Sequence, residues 1–392
     1  MKNIYLFMFI CCIVSCGKRE NNTIVTIIDG DKNISIDPIQ SVDNTYFSNI
    51  FSSIEYIQIP TDSTFLIGNI DKMIVVDNHI IIMDKYISRS VFIFEKNKQK
   101  KVVIHKQGKG PGEYAALQDI FYNAVTNELG IFCNLQRKIV YYSLEGEYSR
   151  EQPLNINAGK ILPVQDNVAA YCEFYRNENL NQHDNYPNVT LISTNSVIQS
   201  DCFFYDVDPS VVWSSNPDFS RVDHNTIAIL PDHCNTVYHI NEDSIHAMFQ
   251  FDFGKHNLDE QYWKKTREEG ISVEEVDEFC YHEGYCETYN FRQDSSYIFV
   301  KYRHKGKHFF VFHSLITDVT INSQRLINDM DKTTLFFPKF FKNNKFYCLI
   351  ESEEIALVKS YLKQNKLLPD KILDNCKEFD NPVIAVLSLK DF

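Results

Sequence analysis

Short polar turns followed by apolar runs recur six times along the chain. Asp77-Asn78 precedes His79–Met83, Thr126-Asn127 precedes Leu129–Cys133, and Asp166-Asn167 precedes Val168–Phe174. His224-Asn225 precedes Thr226–Leu230, Asp294-Ser295 precedes Tyr297–Tyr302, and Asn343-Asn344 precedes Lys345–Ile350. Counted from the second turn residue, the intervals are 49, 40, 58, 70 and 49 residues. Asn and Asp tolerate left-handed backbone and build tight hairpins. A hairpin returning every 40 to 50 residues, stretched in places by insertions, predicts an all-β chain of four-stranded blades, a six-bladed β-propeller.

The first blade is expected over Ile70–Val76, His79–Met83, Val91–Phe94 and Lys101–His105, and the second over Leu117–Ala124, Leu129–Cys133, Lys138–Tyr142 and Tyr148–Pro153. The third runs from about Lys160 to Ser200, and the fourth covers about Cys202–Phe253. The fifth follows an insertion, Leu258–His282, that is helical in pattern and reads as a helix packed on the disc or as a lid or partner contact. The sixth holds Leu335–Phe341, Lys345–Ile350 and Val383–Leu389, with a helix near 354–364. It has only three strands, while Ile54–Ile59 is left over at the front. The N-terminal strand is therefore predicted to close the last blade, because an open ring would leave two exposed edges.

The stretch Gln107-Gly108-Lys109-Gly110-Pro111-Gly112-Glu113-Tyr114 is read as the link between the first two blades. Gly108, Gly110, Pro111 and Gly112 exclude a helix or strand interior and predict a tight, stiffened turn. The stretch lacks the Gly-Lys-Ser/Thr ending of a P-loop and the spacing of a dinucleotide fingerprint. Such a crossing runs over one face of the disc toward the axis. That makes Lys109, Glu113, Tyr114 and Asp119 candidates for lining the mouth of the central channel. The alternative packs Tyr114 under the next blade and uses Glu113 to cap backbone N–H groups.

The N-terminus reads separately. After Lys2 comes an apolar stretch, Ile4–Val14, of 11 residues, too short to span a bilayer. It ends in Ile13-Val14-Ser15-Cys16, similar to a bacterial lipobox in which Cys16 is acylated. The expected organisation is a lipoprotein signal over residues 1–16, a polar tether over 17–46 and the propeller over 47–392. Acyl anchoring would leave the remainder soluble beside a membrane of the cell envelope.

Aromatic residues make up 14% of the chain, which suits pleated surfaces. A formal net charge of −13 argues against a nucleic-acid partner. Cys280 and Cys286 are the one close cysteine pair outside the signal, with no second pair to complete a zinc set. A short-loop disulfide or two buried thiols fits them better.

Gly108–Tyr114 followed by Ile120 is similar to the repeat of NHL propellers. Together with Ile54-Glu55-Tyr56-Ile57, Ile67-Gly68-Asn69-Ile70 and Asp380-Asn381-Pro382-Val383, the chain resembles a family of six-bladed β-propeller lipoproteins from Bacteroidetes. The resemblance implies the fold and an envelope location but no reaction. No metal or cofactor is expected, and no catalytic motif occurs. The reading is a membrane-anchored module that binds a carbohydrate or peptide ligand, or another envelope protein. The alternative is a hydrolase or lyase acting at the channel mouth.

Overall fold

The computed structural model describes residues 26–27, 32–96, 100–173, 175, 177–178, 186–193, 198–205, 217–232, 234–258, 273–332, 336–356, 359 and 371–392. The chain forms a six-bladed β-propeller. Each blade is a four-stranded antiparallel sheet, and two blades carry extra parallel strands at their outer edge. Blade 1 is Lys72–Val76, His79–Asp84, Ser90–Glu95 and Lys101–Ile104, ordered from the axis outward. Blade 2 is Asp119–Asn123, Glu128–Cys133, Lys138–Tyr142 and Tyr148–Pro153. Blade 3 is Lys160–Val164, Asn167–Tyr171, Tyr186–Ser193 and Ile198–Tyr205. Blade 4 is Ser220–Arg221, Ile227–Ile229, Thr236–Ile240 and Ile245–Asp252. Blade 5 is Cys286–Gln293, Tyr297–His304, Lys307–Ser314 and Thr320–Ile327. Blade 6 is Pro338–Lys342, Lys345–Ile350, Val383–Leu389 and, from the front of the chain, Phe51–Gln58.

The periodic apolar runs are the second strands of the blades. In His79–Asp84 every residue after His79 is buried. That strand has neighbours on both edges and a packed blade on both faces, so it cannot alternate polar and apolar positions. The outermost strand of blade 2, Tyr148–Pro153, is almost wholly exposed. Six hydrophobic clusters fill the six spaces between adjacent blades. One joins Ile80, Ile82 and Phe92 of blade 1 to Tyr347, Ile384 and Val386 of blade 6, so apolar packing runs round the complete ring. The turns before the second strands are tight because Asp77, Asn127, Gln165 and Asn343 adopt φ near 50°.

Closure falls where the leftover strand predicts it. Phe51–Gln58 pairs antiparallel with Val383–Leu389, with Ile57 opposite Ile384 and Ile54 opposite Leu387. The segment ahead of it departs from a free tether. Thr26–Ile27 and Asn33–Ser35 run parallel to the outer strand of blade 4, and Val42–Tyr46 runs parallel to that of blade 5. Ile34 and Ile36 enter the core between those blades, which gives the pairing an apolar driving force.

The third and fourth blades divide later than the turn spacing implies. Cys202 lies on the outer strand of blade 3, and blade 4 begins at Ser220. Of the insertion expected over 258–282, the described helix is Val273–Glu283, and Tyr262 and Trp263 lie outside the described residues. Near 354–364 the described helical residues are 352–356 and 359.

Candidate functional site at the channel mouth

Antiparallel blades place the start of the first strand, the end of the second, the start of the third and the end of the fourth on one face of the disc. The longest connections all join strand ends on that face. They are residues 105–118 between blades 1 and 2, 172–185 in blade 3, 206–219 between blades 3 and 4, 253–285 between blades 4 and 5, and 351–382 in blade 6. Turns on the opposite face are short, such as Asp77-Asn78 and Asn343-Asn344.

Every blade contributes a charged residue near the axis on this face. They are Lys72, Asp119, Lys160, Asp218, Arg292 and Lys339, from blades 1 to 6 in order, with Asp218 two residues ahead of its strand and Arg292 near the far end of its own, from where it still lines both cavities. Lys72 Nζ donates to Asp119 Oδ1 at 2.8 Å and to Asp218 Oδ1 at 3.1 Å, bridging three blades. The second oxygen of Asp119 accepts from the Ile161 backbone at 3.0 Å, which ties in a fourth strand. Burial alone would lower the Lys72 pKa, but the two carboxylates outweigh it and raise the value. Burial likewise would raise Asp218, and Lys72, Lys160 and Arg292 together hold it below the usual carboxylate range.

Two adjoining cavities meet at these charges. The outer one, about 420 Å³, is lined by Asp71, Lys160, Lys301, Phe337, Glu351 and Glu354 among others. The inner one, about 300 Å³, continues along the first strands toward Asp77, Asn123 and Lys342. Lys72, Asp218, Arg292 and Lys339 line both. Lys301 is buried over the ring of Phe310 at 4.8 Å, and burial holds its pKa below the ordinary lysine value. Among the described residues no three His, Cys, Asp or Glu side chains gather as a metal set.

The residues read from sequence separate here. Asp119 belongs to the charged group and sits fully buried just behind the cavity wall. Tyr114 is buried between blades 1 and 2, where its hydroxyl donates to the carbonyls of Arg89 at 3.1 Å and Ile104 at 3.0 Å. Burial pushes its pKa up to about 12. Glu113 accepts from Gly110 N at 2.8 Å and closes the turn, and Lys109 is exposed on the crossing. None of Lys109, Glu113 and Tyr114 lines either cavity. Of the three turn glycines, Gly112 adopts a positive φ of 71°. Gly108 serves a close approach instead, since a Cβ there would lie 2.0 Å from Glu113 Oε2. Lys72, Lys160, Asp218, Arg292 and Lys339 were not singled out by sequence. The signal available for Lys72, Lys160 and Lys339 was a charged residue near the front of a first strand, as in Lys72–Val76 and Lys160–Val164, whereas Asp218 lies ahead of its strand and Arg292 near the end of its own. Cys280 and Cys286 are both buried, and burial together with Cys280 raises the Cys286 pKa.

Residues 31–388 match the family described as domain of unknown function DUF4934. The chain belongs to this family. No curated protein matches it. Among solved structures, the DUF4934 chain is similar to a Bacteroides fragilis protein described as exported, at 16% identity and a TM-score of 0.71. That alignment covers 91% of this chain and 99% of the other. A DUF4221 family member from Bacteroides vulgatus aligns at 12% identity and a TM-score of 0.48, covering 86% of this chain and 98% of its own. A streptogramin B lyase aligns at 8% identity and a TM-score of 0.40, covering 87% and 99% respectively. The likeness to the Bacteroides fragilis structure shows a shared fold.

Proposed function

We propose that this propeller is an exported, membrane-anchored envelope module that binds a small ligand in its central channel. The observation that carries the reading is the convergence of one charged residue from each of six blades at the axis, five of them lining a pair of adjoining cavities. Concave, partly apolar cavities with a few convergent polar groups are the usual form of small-molecule sites. The grouping of the long connections on the same face supports it, since loops on a rigid scaffold commonly surround a binding site. The anchor rests on the lipobox at Cys16, which lies outside the described residues.

The hydrolase or lyase reading finds less support. Both carboxylates among the six axial charges are engaged by Lys72, so a base would have to come from the rim, at Glu351 or Glu354. The test is recovery of the full-length protein from native membranes followed by native mass spectrometry. A bound small molecule at one per chain supports the reading, and recovery without one overturns it. Cys16→Ser is expected to move the protein into the soluble fraction, and retention on the membrane would remove the anchor.

A further inference from the structure

We infer that the channel ligand carries an oxyanion, a carboxylate or a phosphate, held by Arg292, Lys339 and Lys160. The inference rests on the channel-binding reading above and names the chemistry of its ligand. The chain as a whole is acidic, with a formal net charge of −13, yet four of the six axial charges are cationic. A bore of the opposite sign to its shell selects ligands by charge.

Pairing of the charges is uneven. Lys72 takes both axial carboxylates. Among the described residues, Lys160, Arg292 and Lys339 form no ion pair. Among the described residues the Arg292 guanidinium donates only to the carbonyl of Phe291 at 2.7 Å, and the Lys339 ammonium only to that of Ile70 at 3.0 Å. Lys160 is 7% exposed, and among the described residues its ammonium makes no hydrogen bond. Lys160 is buried, Arg292 half-buried and Lys339 exposed where it lines the cavities. Cations gathered on one cavity without a carboxylate in ion-pair contact repel one another, and a buried one is costly to leave so, which leaves a place for a counter-charge. The nearby carboxylates act on them at longer range than an ion pair: Asp218 on Lys160 and Arg292, Glu173 on Lys160, and Asp71 and Glu351 on Lys339. Asp71 accepts from Asn69 Nδ2 at 2.7 Å and Lys85 N at 2.6 Å, while Glu351 and Glu354 make no ion pair with these cations. Burial and Glu354 push Glu351 up, and Lys339 offsets only part of that.

The backbone of blade 5 is distorted at this point. Asn290 lines the outer cavity with φ of 59°, and the pairing of Cys286–Gln293 with Tyr297–His304 shifts register between Tyr289 and Arg292. A bulge in the innermost strand re-aims the side chains that follow it, here Arg292. The guanidinium fork matches the paired oxygens of a carboxylate or phosphate, with the lysines as point charges beside it. Cavities of about 300 and 420 Å³ suit a ligand of sugar size.

The test uses the purified full chain with three sugars on one scaffold: glucose 6-phosphate, glucuronate and glucose, at matched ionic strength. Calorimetry and thermal melting are expected to show binding and a raised Tm with at least one charged sugar and none with glucose. Which charged sugar binds separates phosphate from carboxylate. Arg292→Gln and Lys339→Gln should each weaken that binding about tenfold or more. Lys160→Met should abolish it while the ligand-free Tm stays the same or rises, because the unpaired charge is gone. Binding of glucose as tight as that of the charged sugars overturns the anion inference and leaves channel binding standing. No binding by any of the three, nor by inorganic phosphate, overturns the anion inference; the mass-spectrometric search then judges channel binding separately. A Lys160→Met variant with a lowered ligand-free Tm and unchanged anion binding also overturns it.

Discussion

Asn381 holds Phe65 from 316 positions away in sequence: its Nδ2 donates to the Phe65 carbonyl at 2.8 Å. The same amide donates to the Pro60 carbonyl at 2.6 Å, and its Oδ1 accepts from Ile67 N at 3.0 Å. Its backbone N–H donates to Thr61 Oγ1 at 2.9 Å. One buried side chain therefore pins the loop between the closing strand and blade 1 against the start of the last C-terminal strand. Asn381→Ala is expected to destabilise the protein by on the order of 2–4 kcal/mol, because three backbone groups lose their partner in a dry site. Urea unfolding checks it, and a cost under about 1 kcal/mol would mean that pairing of Phe51–Gln58 alone closes the ring.

Lys72 is the axial cation whose loss should unfold the molecule. Lys72→Met leaves Asp119, at 0% exposure, and Asp218 without their shared partner. Breaking such a pair from one side costs about 3–5 kcal/mol. The thermal melt should fall steeply, in contrast to Lys160→Met. Equal effects of the two substitutions would remove the distinction between structural and ligand-facing cations.

Acid stability should depend on Asp84. Its carboxylate is fully buried and accepts from Gly68 N at 2.8 Å, Ile87 N at 3.0 Å and Ser88 N at 3.1 Å. Burial would raise its pKa, but the donors from Ser88, Gly68 and Ile87 outweigh it and hold the group below its ordinary value. A carboxyl depressed in the fold contributes stability that is present above its unfolded pKa of about 3.9 and is lost as pH falls through the folded value. Asp84→Asn should cost on the order of 2–3 kcal/mol at neutral pH and flatten the decline in stability below about pH 4. Urea midpoints across pH 2.5–7 for both proteins are the measurement, and parallel curves would refute the assignment.

Gly130 lies opposite Phe121 in blade 2, and a Cβ there would sit 2.1 Å from the ring. Phe121 is fully buried and meets Tyr141 edge-on at 6.0 Å, so it cannot swing aside. Gly130→Ala should cost about 1–3 kcal/mol through overpacking, and adding Phe121→Leu should recover part of it. Additive losses in the double variant would show that the clash is not with this ring.

Much of the fold was legible because its cause is local. The second strand of each blade is buried on both faces, so runs such as His79–Asp84 stand out, and a hairpin turn must precede each one. The closing strand could be found by counting. The division of blades 3 and 4 could not, because connections 172–185 and 206–219 flank the last two strands of blade 3 and blur the spacing that assigns Ile198–Tyr205. Residues 33–46 looked polar enough to be a tether, yet Ile34 and Ile36 suffice to seat them against blades 4 and 5. Tyr114 was legible as a residue near the axis or under a blade, and its two carbonyl partners decide for the second.

By itself the sequence determined a chain of Asn-marked hairpins with an N-terminal strand to spare, since periodic burial and turn chemistry act over a few residues. Only the tertiary structure decided that Lys72, Asp119, Lys160, Asp218, Arg292 and Lys339 share one axis. They lie tens of residues apart and have no local pattern in common. What unites them is the closing of the ring, which brings six first strands side by side and turns isolated charges into one field.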